Sequence, residues 1–265
     1  VRAKTPLVHN ITNYVTVNDV ANVLLAAGGS PIMSDDADDV EDITSICGGL
    51  NINIGTLNKN TIPSMFLAGK KANALGHIVL LDPVGAGASR LRTDTANRLM
   101  REVRFDAVRG NISEIKTLCT GSGSTKGVDA DAVDAVTEAN LDNGVALVKA
   151  FAKQTGCIIA VTGAIDLVSD GERCWCIRNG RAEMSRITGT GCQLSALMTA
   201  FLVANPDRKL DAAAAAVCMM GLAGEIGWAN MQPGDGNSTY RNRIIDAIFN
   251  MTGDALEEGA KYELR

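Results

Sequence analysis

Along most of this chain, short apolar runs that read as strands alternate with segments whose apolar residues recur at helical spacing. Val17 to Ala27 has helical spacing and stops at Gly28, and Pro31-Ile32-Met33 is a short extended piece. Val40, Ile43, Ile46 and Cys47 mark a second helix ending at Gly48. Leu50 to Ile54 follows as a strand, Ile62 to Leu75 as a helix closed by Gly76, Ile78 to Leu81 as a strand and Thr93 to Val103 as a helix. The series continues through Ala107-Val108, a helix near Gly144 to Thr155 closed by Gly156, and the strand Cys157 to Val161. Leu167 to Ile177, broken at Asp170-Gly171, reads as a β-hairpin. After Cys192 the pattern is mostly helical, through Ala212 to Met231 and Ile244 to Leu264. Such a succession predicts an α/β fold with a mainly parallel central sheet, right-handed crossovers and helices on both faces. No repeat or linker interrupts it, so residues 1–265 read as a single domain.

Apolar residues make up 46% of the 265, enough for a large core. The net charge is −5 and no block of five basic residues occurs, so neither nucleic acid nor an anionic membrane is an expected partner. No apolar stretch approaches the length of a transmembrane helix. The start carries no signal-like apolar block and no initiating Met, as expected of a trimmed chain. Seven scattered cysteines without a C-x-x-C pair favour a reduced, cytoplasmic setting. Cys174-Trp175-Cys176 lies in a strand-like run, which puts both thiols on one face and makes them core residues. His9 and His77, the two histidines, adjoin no cysteine, so a zinc site is not expected.

Polar loops follow the strands: Gly55-Thr56, Asp82 to Gly87, Arg109-Gly110-Asn111 and Thr162-Gly163. All lie at strand C-terminal ends, the edge where open α/β sheets bind ligands. A further turn, Thr188-Gly189-Thr190-Gly191-Cys192, precedes the apolar run from Leu194 to Ala204. Its glycines permit a tight turn whose N–H groups meet the positive end of a helix, a ready anion site with a thiol in the first turn. A glycine-rich helix start with a core cysteine is the plainer reading of the same residues. No G-x-x-x-x-G-K-[ST] and no early G-x-G-x-x-G occurs; Gly121 to Gly127 has its lysine out of register and reads as an exposed connection. The acidic run from Asp35 to Asp42 lacks the glycine and glutamate of a calcium loop and reads as a charged helix entry.

What remains is a phosphate site. Asp82 and Glu114 are the best-placed carboxylates for Mg²⁺ held partly through water, and Arg109 can neutralise phosphate charge. Two alternatives stay open: a surface ion pair between Arg109 and Glu114, and a plain turn role for Asp82 before Pro83.

Seven motifs stand in family order: Leu7 to Asn13, Gly29 to Met33, Asn53 to Thr56, Leu81 to Gly87, Arg109 to Ile115, Val161 to Gly163 and Thr188 to Cys192. With them the chain resembles the hydroxyethylthiazole kinase family, thiamine-salvage enzymes of ribokinase-like fold, from residue 5 to about 230. The resemblance implies ATP-dependent phosphorylation of the hydroxyethyl arm of the thiazole, with ATP as co-substrate and Mg²⁺ as cofactor. It implies that Cys192 stands where most ribokinase-like enzymes carry an aspartate base. Gly189, Met33 and Asn13 would line the substrate, Arg109 and Thr162 would contact the nucleotide, and Asp82 with Glu114 would form the magnesium region. It also implies a homotrimer with sites between subunits. The segment Gly234 to Tyr240 departs from the family's Gly-Pro-Gly-Ser-Phe, and the chain starts without the family's usual N-terminal helix.

Since the alcohol's proton leaves late in a loose transition state, Cys192 is expected to orient the hydroxyl and act only as a weak base, although a helix N-terminus can lower a thiol's pKa. Two other functions fit parts of the pattern. An NAD(P)H-hydrate dehydratase of the same superfamily would carry Asp at 192 and lack the Leu7 to Asn13 motif. A catalytically silent nucleotide-binding protein would have no reason to keep Asp82, Arg109 and Glu114.

Overall fold

The computed structural model describes residues 1–121 and 135–265. The strands are β1 (Leu7–Ile11), β2 (Ser30–Met33), β3 (Gly49–Asn53), β4 (Ile78–Asp82), β5 (Ala107–Asn111), β6 (Ile158–Thr162), β7 (Asp166–Ser169), β8 (Cys174–Ile177) and β9 (Tyr262–Leu264). The helices are α1 (Val17–Ala26), α2 (Val40–Ile46), α3 (Thr61–Leu75), α4 (Arg90–Glu102), α5 (Ile112–Gly121), α6 (Leu141–Thr155), α7 (Thr190–Ala204), α8 (Lys209–Ala229), α9 (Asn237–Asn250) and α10 (Gly253–Gly259). All strands form one nine-stranded sheet of order β2-β1-β3-β4-β5-β6-β7-β8-β9. Strands β1 to β6 pair in parallel, and β7, β8 and β9 continue antiparallel.

Both sheet faces are covered, so successive strand residues enter opposite cores. In β4, Val79 and Leu81 face the core beneath α2 to α6, whereas Ile78 and Leu80 face the one beneath α1, α7, α8 and α9. Cys174 and Cys176 are buried together in the first core, as expected, and Trp175 packs against the second. The hairpin turns at Gly171, and α3 and α6 end at Gly76 and Gly156. The acidic run leads into α2, whose N-cap Asp39 makes no side-chain cap bond.

Several expectations need correction. Arg109, Gly110 and Asn111 belong to β5 itself, and α5 follows at once, although polar residues hid both. Strand β1 was hidden by its own His9 and Asn10, which are buried. The helical reading of Ile244 to Leu264 fails at its end, because Tyr262–Leu264 pairs with β8. Of the Gly121 to Gly127 connection only Gly121, the end of α5, lies among the described residues. Contrary to expectation, Pro206–Ala229 is 24 residues long and holds an 18-residue window of mean hydropathy 1.4, sufficient by length and composition to cross a bilayer. However, 72% of that window is buried, packed against α7, α9 and strands β6 to β8, as befits a core helix.

Candidate active site

The parallel register brings the sequence-predicted residues to one edge. Asn10 pairs with Met33, Asn53 with Asp82, and Asn111 with Thr162, all at strand C-terminal ends. Asn13 lies two residues beyond β1, and α7 begins at the same edge and packs across β1, β3 and β4. Met33, Asn13, Asp82, Glu114, Arg109, Thr162, Gly189 and Cys192 therefore surround one composite site.

Gly189 is the N-cap of α7 with φ 85°, a left-handed conformation that a side chain would strain, and a Cβ there would overlap the Thr16 methyl. A Cβ on Gly191 would overlap the Arg109 guanidinium, so glycine lets that cation lie directly on the first turn. Among the described residues no side chain caps α7, which leaves its first amides free to meet an anion.

Arg109 Nη1 donates to both Asp82 oxygens at 3.2 Å, and Nη2 donates to Thr162 Oγ1 at 3.1 Å. Its Nε is buried without a partner among the described residues. Asp82 has no exposed surface, and its Oδ2 also accepts from Asn53 Nδ2 and Ser195 Oγ, each at 2.8 Å. Burial pushes the Asp82 carboxyl up, Arg109 opposes this, and the charge of Glu114 adds to it. Glu114 does not pair with Arg109. Its two oxygens accept the Gly85 and Asn111 amides at 2.8 Å each, and its own amide donates to Asn111 Oδ1 at 2.9 Å. That reciprocal capping fastens the start of α5 to the loop after β4. Neither the surface ion pair nor the plain turn role describes these residues.

Asn13 Nδ2 donates to Cys192 Sγ and to Asn53 Oδ1, both at 3.1 Å, and Thr16 Oγ1 donates back to Asn13 Oδ1 at 3.1 Å. Burial pushes the Cys192 thiol up and the Asp82 charge reinforces it, while Asn13, Arg109 and Asn53 act in the other direction. The lowering expected at a helix N-terminus is thus overridden, and Cys192 stands as a neutral thiol at neutral pH. Met33 packs against the apolar cluster that contains Cys192, Val20 and Leu24, an apolar wall beside the thiol.

Sequence reasoning left four contributors unassigned. Asn53 joins Asn13 to Asp82 and stood inside a quoted motif; Ser195 sits one helical turn after Cys192. Thr16 orients Asn13. Asp166 lines a cleft of about 830 Å³ that also meets Arg109, Thr162, Thr190 and Gly191. The divergent Gly234 to Tyr240 segment leads into α9 away from this cleft, where the buried Tyr240 hydroxyl donates to Gly224 O at 2.9 Å.

Among the described residues no group of three or more His, Cys, Asp or Glu converges on a metal position. A structural metal cage is therefore not built here. Glu114, with one bond on each oxygen, and Asp82 through Oδ1 still fit the donor set of a hard cation held mainly by phosphate oxygens and water, whereas Asp82 Oδ2 is filled by Arg109, Asn53 and Ser195.

The profile of the hydroxyethylthiazole kinase family (HK) matches residues 1–254. A hydroxyethylthiazole kinase of Clostridium acetobutylicum is 58% identical over 263 residues, covering 99% of this chain and 96% of the relative. The solved structure of a hydroxyethylthiazole kinase from Pyrococcus horikoshii OT3 superposes with TM-score 0.88 at 32% identity, covering 100% of this chain and 95% of that one. A pyridoxal kinase from Staphylococcus aureus, solved in complex with ADP, shares the fold at TM-score 0.63 and 14% identity, covering 98% and 97%. The fold is ribokinase-like. The chain belongs to the hydroxyethylthiazole kinase family.

Proposed function

We propose that this member of the hydroxyethylthiazole kinase family transfers the γ-phosphoryl group of ATP to the primary hydroxyl of 4-methyl-5-(2-hydroxyethyl)thiazole, giving the thiazole phosphate and ADP in thiamine salvage. The observation that carries this reading is the full-length similarity to kinases of that name, with the anion-binding turn, Arg109 and the Met33–Cys192 wall meeting at one sheet edge. Arg109 and Thr162 bind the triphosphate. Met33, Asn13 and Gly189 shape the thiazole pocket. Cys192 orients the attacking hydroxyl and, as a neutral thiol fixed by Asn13, receives its proton only weakly. Most of the acceleration comes from holding the two substrates in line and from the cationic and amide groups around the transferring phosphoryl.

Asp82 and Glu114 hold Mg²⁺ in this account, which when bound neutralises charge on the nucleotide phosphates. Residues 1–265 act as one catalytic domain. Tyr14 and Val15, next to Asn13, are 72% and 62% exposed. This apolar surface supports a homotrimer whose subunits share sites. No disulfide links any of the seven cysteines among the described residues, which supports a reducing, cytoplasmic setting. Neither nucleic acid nor a membrane enters this reading. Coupled ADP release with hydroxyethylthiazole and Mg·ATP tests it: turnover that depends on the thiazole supports the assignment, and nucleotide binding without turnover would overturn it.

A further inference from the structure

The large cleft has two chemically different ends. At one, Arg109, Thr190 and Gly191 offer a cation and free helix amides, suited to phosphate. At the other, Met184, Val217 and Met220 offer an apolar slot suited to a base. The strands run in order from the first end to the second. Arg109 is on β5, Thr162 ends β6, Asp166 begins β7, and Asn179 follows β8. At roughly 5 Å per strand, Asp166 stands about 10 Å from the Arg109 strand, the reach of a sugar beyond its phosphates.

The polar side chains along that middle stretch differ in what they have left to give. Asn179 is satisfied: its Nδ2 donates to Gly259 O at 2.9 Å and Glu225 Oε1 at 3.2 Å, and its Oδ1 accepts from Lys261 N at 2.7 Å. Thr162 Oγ1 already accepts from Arg109, and Arg181 is paired with Glu183. Asp166 Oδ1 accepts the Gly163 amide at 2.8 Å, whereas its Oδ2 accepts no hydrogen bond among the described residues. The half-buried carboxylate thus presents one unused acceptor to the cleft, where burial pushes it up to about 7.

We propose that Asp166 Oδ2 accepts a hydrogen bond from a ribose hydroxyl of the bound nucleoside triphosphate and selects ribonucleotides over deoxyribonucleotides. The inference rests on the nucleotide-binding part of the kinase reading. The test compares kcat/KM for ATP, 2′-deoxy-ATP and 3′-deoxy-ATP at pH 8 in the wild type, Asp166→Asn and Asp166→Ala, with titration calorimetry of the same nucleotides. A hydrogen bond to a charged acceptor predicts a preference for ATP over at least one deoxy analogue of about 10- to 100-fold. In Asp166→Ala that ratio collapses towards one, through KM more than kcat, and Asp166→Asn retains part of it. A wild type that does not discriminate, or an Ala variant that keeps the full ratio, overturns the proposal. Calorimetric discrimination without any turnover would overturn the kinase reading alone and leave this one standing.

Discussion

Arg109 donates to both carboxylate oxygens of Asp82 at 3.2 Å, and through its other terminal nitrogen it reaches Thr162, so one guanidinium ties the ends of β4, β5 and β6. Removing it strands a carboxylate with no exposed surface. Arg109→Ala is expected to cost about 3–5 kcal/mol at pH 8. The loss is smaller at pH 5, because the Asp82 carboxyl, already pushed up by burial, takes a proton once its cation is gone. Urea denaturation at the two pH values measures this; an equal cost at both would contradict it.

The two glycines of the turn should separate binding from folding. Gly191 lies inside α7, where alanine is conformationally acceptable, but its Cβ would displace the Arg109 guanidinium. Gly191→Ala is expected to raise KM for ATP by about tenfold or more, while the flexible guanidinium shifts only within reach of Asp82 and keeps that pair, so Tm changes little. Gly189 holds φ 85° against Thr16, so Gly189→Ala is expected to lower stability by about 1–2 kcal/mol. Steady-state kinetics beside thermal melts of both variants would show the split, and a parallel response would refute it.

Asp166 links the ribose assignment to stability. Its carboxyl is pushed up to about 7 by burial, against an ordinary value near 3.9. Between those values the folded protein holds a proton that the unfolded chain has released, so stability falls as pH rises through that window. Asp166→Asn removes the slope. Its Tm should exceed that of the wild type at pH 8 by about 2–4 °C per kcal/mol recovered, and match it near pH 4. Melting curves that stay parallel across this range would rule the assignment out.

The sequence made the parallel sheet legible because buried β4 and β6 are nearly continuous apolar runs, β3 alternates Leu50 and Ile52 with Asn51 and Asn53, and α3 and α6 stop at glycines. Strands β1 and β5 were harder, since His9, Asn10 and Arg109 interrupt them for the sake of the site. Of the site, the residues at strand ends and the turn could be named from motifs. Asn53 and Ser195 could not be given roles, because their meaning lies in meeting Asp82 from β3 and from α7. That contact joins residues 113 positions apart. The thiol's direction of shift also escaped prediction, since depth of burial and the nearness of Asp82 decide it rather than the helix end.

The central claim is that Cys192 positions the acceptor hydroxyl and that charge and alignment supply most of the catalysis. Its most direct test is kcat of Cys192→Ala with saturating hydroxyethylthiazole and Mg·ATP, alongside the affinity for the thiazole. The account predicts a fall of about 100-fold or less with binding unchanged. A fall beyond about 10⁴-fold at unchanged binding would contradict it and make the thiol an essential base.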